Sequence, residues 1–283
     1  MSFLDFLFIP FQFEFMQTAF VSASILATLC SCLGSLLVPR GMSMIGDGLS
    51  HATFGGVGIG LVLGLTLENA TWAALPFVLL VAVSIVALGK HAKLAGDAAL
   101  AVFFSISMAL GIATLHLAAR TGRGVDIESV LFGSILGVQP QDLFWLGGIG
   151  GVILLVLWRQ GPKMAYAGFY PELAAISGVR VIFQEYLLMI LTAAVTVLAV
   201  KAVGVLLVSA WLVLPATIGR LTSARLGTML FSAALSALLG SFLGLVCSYH
   251  LDIPGGAAMT LCLGIIFVLL LCFQQFKVIF IRT

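Results

Sequence analysis

The chain has 283 residues, 61% of them hydrophobic and only 8% charged, with a net charge of +2 and a mean hydropathy of +1.22. A soluble domain carries roughly 25% charged residues to solvate its outside; this chain has too few, so lipid is its solvent, and its scattered basic residues exclude a nucleic-acid footprint. The length instead accommodates about eight or nine spans of ~20 residues with short connections, an all-α polytopic membrane bundle forming one domain over residues 1–283.

In chain order, Asp5 and Glu14 stand where a basic leader would be, so no cleavable signal peptide is expected. Apolar runs follow at 15–38, 43–66, 70–89, 97–118, 142–158, 183–203, 204–219, 226–247 and 255–276. The seventh follows the sixth almost directly, which leaves eight and nine spans both open. Cys30, Cys32, Cys247, Cys262 and Cys272 lie in or at the ends of these runs and read as buried hydrophobes rather than a disulfide frame.

Lys and Arg mark the cytoplasmic side of membrane proteins. They gather at Arg40, at Lys90 and Lys93, at Arg159, Lys163 and Arg180, at Arg220 and Arg225, and at Lys277 and Arg282. With nine spans this alternation places the N-terminus outside and the C-terminus inside. The outer loops are then Glu68-Asn69, residues 120–141 and Ser248–Asp252, with Arg120, Arg123 and Lys201 as exceptions. Within the second outer connection, residues 126–138 hold an apolar stretch too short to span, which reads as a re-entrant or interfacial helix or as an extra turn of a tilted one. On the inner side, Tyr170–Gly178 reads as a short surface helix started by Pro171 and stopped by Gly178, a natural docking element for a soluble partner. Pro215 should kink the seventh run.

The second run carries the chemistry. Asp47 and His51 are four residues apart, so on a helix they share one face, one turn apart. A central Asp costs roughly +2.5–3.5 kcal/mol in a membrane helix and needs a partner, water or an ion. A carboxylate plus an imidazole suits Zn²⁺ or Mn²⁺ as half of a coordination shell; the alternative is a structural hydrogen bond near the cytoplasmic end. Gly48, Ala52, Gly56 and Gly60 form a small-residue stripe beside them, which lets a neighbouring helix approach closely. His250 and Asp252, in the outer loop before Pro254, read either as a cation-receiving pair at the mouth or as a solvated turn in which Asp252 caps the next helix. His91, between Lys90 and Lys93, reads as solvated at the inner surface, His116 as interfacial, and Glu185 as a snorkelling or capping group. No HExxH, phosphate-cradling GxxxxGK[ST] or voltage-sensor ladder is present, so ATP-driven transport would need another chain to hydrolyse ATP.

Five segments in order resemble the metal permeases of ATP-binding-cassette importers for zinc, manganese and iron. They are Arg40–Ala52, Leu131–Leu136, Glu172–Gly178, Gly204–Ala210 with Leu214–Ala216, and Tyr249–Gly255. The segment at Phe13–Thr18 departs from that pattern in lacking a basic pair. The resemblance implies a bacterial inner-membrane protein, with no cofactor beyond the transported metal. It also implies a dimer, with itself or with a similar permease, a cytoplasmic ATPase on each subunit and an extracytoplasmic metal-binding protein. Asp47 and His51 match that family's translocation-path ligands, and residues 171–178, including Pro171, Glu172, Ala175 and Gly178, match its coupling helix. Two rivals are weaker. A secondary transporter would show more intramembrane carboxylates, and an aspartyl protease would need a second one to share a proton with Asp47.

Overall fold

The computed structural model describes residues 3–91, 96–120 and 135–282, and among these there is no strand. Eleven α-helices follow in order: α1 Phe3–Phe8, α2 Glu14–Leu37, α3 Ile45–Val62, α4 Leu67–His91, α5 Gly96–Ala118, α6 Pro140–Phe169, α7 Pro171–Ile176, α8 Val181–Val203, α9 Val205–Thr222, α10 Leu226–Leu251 and α11 Gly255–Arg282. The nine apolar runs correspond one to one with α2–α6 and α8–α11. Seven of these are long and apolar enough to cross a membrane; α9 contributes a shorter apolar helix. α3 and α9, at 18 residues each, extend roughly 27 Å, just short of a ~30 Å hydrocarbon core.

The helices differ in how deeply they sit. Buried positions make up 72% of the most apolar window of α8 and 67% of that of α2, but only 17% in α6 and in α11, so α2 and α8 form the centre and α6 and α11 the rim. α3 is also central, with 14 of its 18 residues buried. The break between α8 and α9 is one residue, Gly204, at φ 80°, a left-handed conformation that only glycine adopts without strain. That single turn resolves the adjoining sixth and seventh runs into two helices. Pro215 lies inside α9, whose helical assignment continues across it.

α6 departs from its expected span of 142–158. The helix runs on past Arg159 and Lys163 to Phe169, roughly 45 Å in all. Charge ends an apolar run but not a helix: Arg159, Gln160, Lys163, Met164 and Ala165 all favour helix, and Pro162 frees only one carbonyl near the surface, where water can satisfy it. Of the stretch read as re-entrant, only Ile135–Gly137 lies within the described residues before Val138; it forms a 3-10 turn with Ile135 buried, close beside Gly255. Residues 126–134 fall outside the described residues.

The ends of α4, α6 and α8 that the charge alternation assigns to the outer side meet at one cation. Lys201, an exception to the positive-inside pattern, donates from Nζ to Asp142 at 2.7 Å and to Glu68 at 3.5 Å, and lies 5.3 Å from the Trp72 ring centre. One cation from α8 is thus neutralised by carboxylates of α4 and α6 at the edge of a cavity of about 310 Å³. The N-terminal segment, which periodicity leaves unassigned, folds against the outer end of α10. Phe6 stacks on His250 at 3.9 Å and Phe11 on Phe242 at 5.2 Å.

Candidate metal site and coupling region

α3 begins after a left-handed turn at Gly41, whose φ of 75° reverses the chain leaving α2. Asp47 therefore stands in the first turn of α3, where the helix dipole favours a negative charge by about 0.3–1 kcal/mol. His51 follows one turn deeper. Both are half-buried. Nδ1 of His51 is buried without a hydrogen-bond partner, and the ring meets Phe104 of α5 edge-on at 4.5 Å between centres. An imidazole nitrogen with no protein partner is a lone pair or proton held in reserve.

The glycines of α3 set how closely its neighbours approach. A Cβ on Gly56 would come within 2.7 Å of the Cβ of Ala74, and one on Gly60 within 2.8 Å of Ala70, so α4 lies directly on the small-residue stripe. On the other side, a Cβ on Gly55 would lie 2.9 Å from the Ser107 carbonyl, and one on Gly58 would collide with Thr114. α3 and α5 thus run side by side in the same direction, pairing Gly48 with Leu100, His51 with Phe104 and Gly55 with Ser107. Ser107 was not apparent as a polar group of interest from sequence. Its buried hydroxyl has no partner either, and it extends the line from Asp47 and His51 toward the outer side.

Among the described residues, no three His, Cys, Asp or Glu side chains lie close enough to hold a metal together. Asp47 and His51 therefore have no third such side chain beside them among the described residues. The outer pair lies elsewhere. His250 Nε2 is 2.8 Å from the carbonyl oxygen of Phe6, and Asp252, at φ 52°, ends α10 in the left-handed conformation that Asp tolerates better than most residues. His250 thus packs against the N-terminal segment, and Asp252 ends the helix beside it in sequence.

On the inner side, the short surface helix is present as α7, with Pro171 at its first position and Gly178 at φ 80° just beyond it. Ala174 is fully buried and anchors it, while Leu173 and Ile176 are 54% and 84% exposed and Glu172 faces outward beside them. The Tyr166 hydroxyl of α6 lies 3.1 Å from the Ser177 hydroxyl, so the last turns of α6 brace this helix.

The profile of the ABC 3 transport family matches residues 12–274. The manganese import system permease protein ScaB of Streptococcus parasanguinis is 33% identical over 258 residues, covering 91% of this chain and 90% of that protein. The chelated iron transport system membrane protein YfeD of Yersinia pestis is 31% identical, covering 95% and 88%. Among solved structures, PsaBC from Streptococcus pneumoniae in complex with Fab superposes with a TM-score of 0.81 at 31% identity over 94% of each chain. The chain belongs to the ABC 3 transport family: it is a multi-pass membrane permease, and ATP hydrolysis lies in a separate subunit.

Proposed function

We propose that this permease subunit of an ATP-binding-cassette importer carries a divalent transition metal inward across a bacterial cytoplasmic membrane, with Asp47 and His51 as its transient ligands. The observation that carries this reading is the unpartnered Nδ1 of His51, held one turn above Asp47 on the glycine-packed helix α3. A carboxylate oxygen and a neutral imidazole bind Mn²⁺ or Zn²⁺, and two protein ligands release what three or four would hold. Manganese is the favoured cargo, because ScaB is a manganese permease and the chain matches it over nine tenths of its length.

The remaining roles follow the same reading. α7 receives the ATPase through its exposed Leu173 and Ile176, with Glu172 at its first turn and Gly178 as its stop. A second permease, identical or similar, completes the metal path, and an extracytoplasmic binding protein delivers the ion to the outer face. Co-purification with the ATPase subunit, followed by ATP-driven ⁵⁴Mn²⁺ uptake into proteoliposomes with unlabelled Zn²⁺ or Fe²⁺ as competitor, tests the function and the cargo together. Uptake without any ATPase subunit would favour a secondary transporter instead.

A further inference from the structure

The guanidinium of Arg40 joins two parts of the chain that are far apart in sequence. Arg40 ends the 3-10 turn Val38–Arg40 that follows α2, and only Gly41 and a short turn separate it from the helix bearing Asp47. Its Nη2 donates to the carbonyl of Met164, in the last turns of α6. The guanidinium lies flat against Gly168, one turn further on, where any side chain would collide with it. Three residues later α7 begins, and Tyr166 on the same stretch of α6 braces its far end. Glu185, near the start of α8, adds its opposing charge to the Arg40 environment.

We infer that Arg40 is a positioning residue that transmits displacement of α7 to the metal-bearing helix α3, using the cytoplasmic extension of α6 as a rod. This inference rests on the reading of α7 as the ATPase contact. The turns of α6 beyond Pro162 are bracketed by Arg40 and α7, and a carbonyl gripped by a planar, always-charged guanidinium transmits their movement to whatever the arginine is attached to. What it is attached to is the Gly41 turn, whose left-handed backbone is the natural hinge ahead of α3. The Nε of Arg40 is buried with no partner, so the guanidinium has a donor left to engage when the rod shifts, which suits an element with two arrangements rather than a static brace. The extension of α6 beyond its apolar run has the same explanation: the residues that leave the membrane are those that reach Arg40 and α7.

The test uses the chain with its ATPase subunit in proteoliposomes, reading metal imported per ATP hydrolysed. Arg40→Gln removes the charge and the fork, and Gly168→Ala leaves all charges intact while pushing a methyl group against the guanidinium. Both are expected to lower metal per ATP at least tenfold, with the ATPase subunit still bound and ATP hydrolysis continuing. Combining Gly168→Ala with Arg40→Lys, whose slimmer ammonium leaves room for the methyl group, should recover part of the ratio. Uptake and hydrolysis falling in step, or an unchanged ratio in Gly168→Ala, would overturn the role of Arg40. If instead Glu172→Ala and Gly178→Val leave the ratio intact while Arg40→Gln lowers it, the contact assigned to α7 fails and the grip on α6 stands.

Discussion

α3 and α6 are built from similar residues to opposite ends. Both are rich in glycine, but on α3 those at 46, 48, 55, 56, 58 and 60 each face a neighbouring atom that a Cβ would touch, whereas on α6 those at 147, 148, 151 and 161 face open space. The first set lets α4 and α5 close around a half-buried carboxylate and imidazole; the second leaves a long helix on the rim of the bundle. Glycine count does not distinguish a buried helix from a rim helix. What distinguishes them is whether the glycines fall in register with small residues such as Ala70 and Ala74 on the next helix. Gly168 is instructive, because it is a glycine of α6 that does meet a partner, the guanidinium of Arg40.

The largest effect should come from overfilling the α3 side of this comparison. Gly56→Leu forces the helix away from the Ala74 backbone, 2.9 Å from its Cβ position, and overpacking of this kind costs about 1–3 kcal/mol or more. Little folded protein should be recovered from membranes, as judged by monodisperse elution in mild detergent, whereas Gly151→Leu on α6 should insert and fold normally. Equal recovery of both would remove the distinction between the two helices.

Acidity separates the two helices more gently. On the proposed reading, the α3 site works through neutral imidazole, the form that can ligate a metal. A protonated His51 cannot ligate, so metal uptake by the wild type should be full at neutral pH and fall once the medium is acid enough to protonate it. Replacing exposed side chains on α6, such as Trp158→Ala, should leave the pH profile unchanged. Uptake that stays at its neutral-pH level throughout the acid range in which the complex remains intact, at constant ATPase activity, would argue against imidazole ligation.

The smallest effect is expected at the outer end, where Lys201 binds α8 to α4 and α6. Its side chain is 20% exposed and that of Asp142 30%, so the pairing is screened in part and contributes on the order of 1 kcal/mol. Lys201→Met should lower the thermal transition of the purified chain by a few degrees without changing its cargo preference. A loss of uptake with unaltered stability would instead give Lys201 a part in the metal path.

Much of this architecture is legible from residue patterns because the bilayer imposes a length and a polarity on each span. The adjoining sixth and seventh runs are separated only by the turn at Gly204, whereas the apolar runs themselves and the surface helix at Pro171 follow from such local rules. So does the shared face of Asp47 and His51. Tertiary placement does not. Ser107 becomes notable only once α5 is laid along α3, and Lys201 reads as a misplaced positive charge until Asp142 and Glu68, both far away in sequence, are brought beside it. The outer His250 shows the reverse case. Its spacing from Asp252 suits a cation, yet the N-terminal segment, too short to announce itself by periodicity, supplies Phe6 as its partner. Arg40 reads as a routine cytoplasmic marker, because nothing local signals that α6 continues far enough to meet it.

The contrast between a ligand helix and a supporting rim rests on Asp47 and His51, and metal uptake at matched expression tests it most directly. Asp47→Ala and His51→Ala, each assembled with the ATPase subunit in proteoliposomes, should take up ⁵⁴Mn²⁺ at less than a tenth of the wild-type rate while the complex stays intact. Near-normal uptake by both variants would contradict the assignment and reduce the pair to a structural feature of a tightly packed helix.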